Sequence, residues 1–192
     1  MSAARPIATT RSAAGLPTGR LGVWWVIASE VVIFGGLLSS YIMHRLAHDA
    51  FAVQAAHTNT AIGAFNTFVL LTSSLFAVLG HKAAEEGDGK KAARMLLYTM
   101  GGGVTFLIVK AFEWTSEITH GFTITSSTFW SFYYTAAGLH ALHVLGCVVI
   151  MGFVAAQAWR NRELHRVELI GIYWHFVDVV WIFLFPLLYI AK

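Results

Sequence analysis

Tyr173-Trp174-His175-Phe176-Val177-Asp178-Val179-Val180-Trp181 sets a histidine and a carboxylate inside a run that is otherwise apolar from Ile170 to Ala191. A helix that crosses a bilayer needs roughly 20 mostly apolar residues, and this run supplies them. An ionisable group within such a span costs at least ~2.5 kcal/mol and is a functional candidate by default. His175 and Asp178 are three apart, so they share a helix face and are expected to point together into protein rather than lipid.

The rest of the chain has the same character. Of its 192 residues 57% are hydrophobic and 12% charged, with a mean hydropathy of +0.64. Soluble domains carry about 25% charged residues, so that class is excluded. Cys147 is the one cysteine, which rules out a disulfide framework, a CxxC metal motif and a CxxCH haem attachment.

Four further apolar runs precede the last, giving spans at about 22–46, 60–81, 94–118, 128–158 and 169–191. The fourth is long enough to tilt or to protrude. Residues 1–20 read as a polar tail; the apolar run behind them exceeds a signal-peptide core of ~7–15 residues. Basic residues segregate when the loops are assigned to alternate sides. Arg5, Arg11, Arg20, Lys82, Lys90, Lys91, Arg94, Arg160, Arg162 and Arg166 fall on one side, Arg45 and Lys192 on the other, and Lys110 inside a span. The positive-inside rule then puts the N-terminus in the cytoplasm and the C-terminus outside. The fold class is all-α, a membrane-embedded bundle of five transmembrane helices. The net charge of +3 is explained by topology, and no nucleic-acid partner is expected.

Polar groups punctuate every span. Glu30 lies ~15 Å along the first helix from Arg20, near mid-membrane, at a rise of ~1.5 Å per residue. Burial disfavours its charged form, leaving either a neutral acid bonded to a neighbouring helix or a proton-exchanging group. Asn66 occupies span 2. Lys110, Glu113 and Glu117 in span 3 have i,i+3 and i,i+4 spacing, and His140 and His143 in span 4 share a face. Interhelical hydrogen bonding accounts for such a set, and Asp178 is expected to serve as the buried acceptor for His175. Gly36 with Ser40, and Gly101-Gly102-Gly103 at the opening of span 3, read as close-packing positions. Trp24-Trp25, Trp130 and Trp159 fall at span ends, as interfacial belts do. The histidines with Asp178 also permit a metal or haem reading, but HxxH and HxxD lack the bridging carboxylates of di-iron bundles. No metal site and no catalytic residue is expected of this chain.

Several segments carry a resemblance in a fixed order. They are Ser29-Glu30-Val31 with Phe34, Asn66-Thr67 through Leu70-Leu71, and Glu86-Gly87-Asp88 with Lys90-Lys91. Phe122-Thr123-Ile124 with Ser126, Gly138-Leu139-His140-Ala141-Leu142-His143-Val144 with Gly146, and Tyr173–Trp181 follow. Together they resemble subunit III of the haem-copper terminal oxidases, cytochrome c oxidase above all, across all five spans. Many members have seven spans, and the first span here resembles their third, as in short bacterial forms.

The resemblance implies a non-redox accessory subunit of a bacterial proton-pumping cytochrome c oxidase in the plasma membrane. Such a subunit binds no cofactor; haem and copper belong to the partner subunits. It packs on subunit I, alongside subunit II and a small subunit IV, holds structural phospholipid, and supports proton uptake during turnover. Glu30 matches the family's buried glutamate. Asn66, Glu113, His140, His143, His175 and Asp178 form the expected buried polar network. A quinol oxidase or a nitric oxide reductase with a subunit-III-like partner are near alternatives. An independent proton conductor using Glu30 and the buried histidines, and a membrane di-iron enzyme, are readings from other classes.

Overall fold

The computed structural model describes residues 18–48 and 50–191, so most of the expected tail lies outside the described residues. All regular elements among them are helical: α1 (Thr18–Ala47), α2 (Ala50–Ala55), α3 (Thr60–Glu85), α4 (Gly89–Thr119), α5 (Thr128–Trp159) and α6 (His165–Phe185), the last continued by a π-helical turn, Pro186–Ile190. Five of these are long and apolar enough to cross a membrane. Each exceeds the expected apolar run because its polar ends are also helical, and Arg20 sits within the first turn of α1. The short α2 had no counterpart in the sequence reading; six residues are too few to show a helical period.

The starts follow local chemistry. Asn59 Oδ1 accepts from the amides of Ala61 and Ile62 at α3, Asp88 caps α4 through Lys91 N, and Ser127 caps α5 through Trp130 N. Gly87, at φ +79°, lets the chain reverse between α3 and α4 in the left-handed region that glycine tolerates. At the same end Gly89 N donates to Asn161 Oδ1 at 3.0 Å. A Cβ on Gly89 would stand 2.2 Å from the Ala158 carbonyl oxygen, so only glycine fits.

Packing runs α3 on α4, α4 on α5, with α6 held between α3 and α5. The α3 and α4 interface is lined by small residues. A Cβ on Gly102 would meet Ser73 Cβ at 2.5 Å, and one on Gly103 would meet Val148 and Trp174 at 2.8 and 2.9 Å. These two are close-packing residues, but they lie inside α4 rather than at its start, and Gly36 and Gly101 have nothing within 4 Å of an added Cβ. Within this chain alone, therefore, nothing packs against Gly36. The expectation for Trp130 is corrected: it is fully buried, its Nε1 donating to Gln54 of α2 at 2.9 Å. Trp24, Trp25 and Trp159 are exposed.

α1 is the loosest element. It buries only Ile27, Phe34 and Tyr41, one narrow stripe at seven-residue spacing, against α5 and α6. At the other end of the bundle Pro186, lacking an N–H, breaks the α pattern, and Ala191 N reaches back to Pro186 O at 2.8 Å. The carbonyls left over are met from elsewhere. Leu187 O accepts from Tyr41 Oη at 2.8 Å, Leu188 O from Thr58 Oγ1 at 3.3 Å, and Tyr189 O from Thr60 Oγ1 at 2.9 Å.

Candidate functional site: three buried polar centres

The first centre joins α1 to α5. His143 Nε2 lies 3.1 Å from Glu30 Oε2, each side chain 15% exposed. His143 Nδ1 is 2.7 Å from the Leu139 carbonyl, which can only accept, so Nδ1 carries a proton. Nε2 then faces the carboxyl either as a lone pair or as a second N–H. The imidazole and the carboxyl thus face each other across the α1–α5 seam in a largely apolar setting. The ring N–H direction is off the line to Oε2, so the contact is a near pair rather than a closed hydrogen bond. Phe34 sets its ring edge against His143, centroids 5.4 Å apart.

The second centre is the most completely bonded. Lys110 Nζ reaches Glu113 Oε2 at 3.0 Å, Tyr133 Oη at 3.1 Å and Tyr189 Oη. Glu113 Oε1 accepts from Tyr133 Oη at 2.9 Å and from Tyr189 Oη at 2.7 Å. An ammonium has three N–H bonds and finds three acceptors; both phenol protons go to one carboxylate oxygen. The rings of Tyr133, Tyr189, Trp181 and Trp114 surround Nζ at 4.9 to 5.8 Å. The set ties α4, α5 and the C-terminal turn together. Of its members only Glu113 stood among the expected site residues. The Lys110–Glu113 spacing was a local signal, whereas Tyr133 and Tyr189 come from remote positions and gave none.

The third centre lies between α3 and α6. His175 Nδ1 is 2.6 Å from Ser74 Oγ. Ser74 also neighbours Asp178, but both Asp178 carboxyl oxygens are buried without an aligned partner. The expectation that Asp178 is the acceptor of His175 is thus corrected: the serine of the facing helix takes that place. Residues three apart on a helix diverge by 60°, so a shared face does not by itself make two side chains partners.

The same divergence separates His140 from His143. His140 is fully buried between the rings of Phe106 and Trp181, at 5.3 and 5.1 Å, with neither ring nitrogen bonded. His143 faces α1. They do not converge on a common ligand. Asn66 is fully buried with both side-chain polar atoms unpaired, while its neighbour Thr67 accepts from Trp181 Nε1 at 3.0 Å. Among the described residues no three His, Cys, Asp or Glu side chains gather as a metal would require.

Comparison with known proteins supplies the family. The family model described as cytochrome c oxidase subunit III matches residues 8–192. The chain is 32% identical to a cytochrome c oxidase subunit 3 of Thermostichus vulcanus, over 88% of this chain and 86% of that one. It is 32% identical to a probable cytochrome c oxidase subunit 3 of Mycobacterium leprae, over 88% and 85%. A haem-copper oxidase subunit I+III of Aeropyrum pernix is 30% identical over 90% of this chain, which spans 22% of that longer protein. With a family match along nearly its whole length, the chain belongs to the cytochrome c oxidase subunit III family.

Proposed function

We propose that this chain is an accessory, non-redox subunit of a bacterial proton-pumping cytochrome c oxidase, seated in the plasma membrane against subunit I. The carrying observation is the close Glu30–His143 pair midway along α1 and α5. α1 is the helix least covered by its own chain, so a partner packed on it would shield the couple and feel its proton state. That is how the subunit would support proton uptake by the catalytic subunit. The Aeropyrum pernix protein, which unites subunits I and III in one chain, favours direct packing of the two. Subunit II and a small subunit IV would complete the assembly, with haem and copper held by the partners.

Structural phospholipid fits the same reading. A cavity of about 550 Å³ opens between α1, α5 and α6, with Val23, Val26, Ile150 and Val154 as apolar walls and Arg166 at the basic end. An acyl chain suits the walls and a phosphate the guanidinium. The test is purification of the tagged chain in mild detergent, followed by a haem spectrum of what accompanies it. Subunits I and II with haem are the expected companions. Recovery of the chain alone would overturn the reading, and a complex oxidising quinol or reducing nitric oxide would select one of the alternatives.

A further inference from the structure

The Lys110 centre brings together two chemistries that packing alone does not require: phenols bonded to a carboxylate and, beside them, an indole that reaches the bundle surface. Tyr133 and Tyr189 are fully buried with their hydroxyl oxygens 3.0 Å apart, and both donate to Glu113 Oε1, at 2.9 and 2.7 Å. Trp114 is half-buried. Its ring and that of Tyr133 flank Lys110 Nζ at 5.8 and 4.9 Å. The ring of Tyr134 bridges the two, 5.8 Å from Trp114 and 5.2 Å from Tyr133. Tyr189 lies 5.9 Å beyond Tyr133. Glu113 also lines a cavity of about 270 Å³ at the α4–α5 end of the bundle, together with Ser116, Glu117 and His120. Tyr41 and Tyr134, by contrast, donate to the carbonyls of Leu187 and Phe122, which do not hold a proton.

We propose that Trp114, Tyr133, Tyr189 and Glu113 form a one-electron donor site for radicals of the lipid phase, with lipid peroxyl radicals as the substrate class. The site rests on this chain's own residues and not on the oxidase reading. A peroxyl radical at Trp114 takes one electron from the indole and one proton from water at the interface, and leaves as the hydroperoxide. The electron vacancy on Trp114 passes to Tyr133 through the ring of Tyr134. As the Tyr133 phenol gives up its electron, its O–H bond breaks and the proton forms a new O–H bond at Glu113 Oε1. Radical and interfacial proton thus become hydroperoxide, while phenol and carboxylate become phenoxyl and carboxylic acid. An indole loses an electron with its N–H in place, whereas an oxidised phenol is a strong acid and needs a base within hydrogen-bond reach. That difference draws the vacancy from Trp114 to the tyrosines that share Glu113. Lys110 Nζ donates to both phenol oxygens and steadies the phenoxyl. The cavity gives the proton on Glu113 an outlet past Glu117 and His120, so that charge is not trapped in the apolar core.

The test places the purified protein, with the subunits that accompany it and with cyanide to silence their haem, in vesicles of polyunsaturated phosphatidylcholine containing a lipid-soluble azo initiator. Samples frozen during peroxidation are read by electron paramagnetic resonance. A neutral tyrosyl radical is expected, its spectrum narrowed when the protein carries ring-deuterated tyrosine. Tyr133→Phe combined with Tyr189→Phe should abolish the signal. Should that variant fail to assemble, Trp114→Phe keeps both phenols and is expected to slow formation of the radical ~tenfold, one decade in rate. Tyr98→Phe, which alters an exposed ring resting on Phe76, should leave signal and rate unchanged. No tyrosyl signal in the unsubstituted protein, an undiminished signal in the double variant, or formation at the wild-type rate in Trp114→Phe would overturn the proposal.

Discussion

Nε2 of His143 stands 3.1 Å from Oε2 of Glu30, while Nδ1 of the same ring is committed to the carbonyl of Leu139. The second contact places a proton on Nδ1, and the first sets Nε2 beside the carboxyl across the α1–α5 seam. Glu30→Gln keeps the shape and removes the exchangeable proton. It is expected to leave assembly largely intact and to lower sustained turnover and proton uptake. His143→Gln should have a similar effect alone and little further effect in the Glu30→Gln background, because the two act as one couple. Fully additive losses in steady-state oxygen consumption would show that they act separately.

The Lys110 centre makes a different prediction. Glu113→Gln leaves a buried ammonium without its counter-charge, at a cost of ~3–5 kcal/mol. The yield of assembled complex and its thermal inactivation temperature should both fall. Lys110→Met together with Glu113→Gln removes both charges and should recover a substantial part of that loss. A double variant as unstable as Glu113→Gln would mean that the pairing is not the cause.

Tyr189→Phe deletes one phenol from the same centre while keeping the ring against Phe185 and Trp181. Glu113 Oε1 retains Tyr133 but Lys110 Nζ also loses an acceptor, so the expected cost is at least that of one hydrogen bond to a charged group, ~1.5–3 kcal/mol. Proteolysis of the C-terminus in detergent should become faster, since the Pro186–Ile190 turn loses an anchor.

Gly89→Ala and Gly36→Ala form a paired test of close packing. The first places a methyl 2.2 Å from the Ala158 carbonyl oxygen and must displace the start of α4; the second meets nothing within 4 Å. Assembly measured by co-purification should fall for Gly89→Ala and stay at the wild-type level for Gly36→Ala. Loss in Gly36→Ala would reveal a partner packed on that face of α1.

Orientation is testable with a membrane-impermeant thiol reagent. In a Cys147→Ala background, Ser126→Cys between α4 and α5 should label from outside intact cells, and Lys90→Cys at the start of α4 only after the membrane is opened. The reverse pattern would invert the topology expected from the basic residues.

The five spans were legible because hydropathy and charge are local properties that each span carries in its own residues. The caps at Asn59, Asp88 and Ser127 are local too, but they came from the structure and not from the sequence reading. The six residues of α2 and the π turn after Pro186 were not legible, being too short for periodicity to register. Trp130 looked like an interfacial residue because its position along the span was readable and its direction was not.

The Tyr173–Trp181 run shows where each source of information stops. By itself the sequence determined that a histidine and a carboxylate enter the membrane on one helix, which follows from composition and helical pitch. Partners were decided only by tertiary structure: Ser74 for His175, Glu30 for His143, Tyr133 and Tyr189 for Lys110 and Glu113. Each of these crosses between helices, and register between helices is set by how small residues such as Gly102 and Gly103 let the backbones approach. A spacing along one helix fixes which side chains share a face. The residue that faces them belongs to another helix, and only packing brings it there.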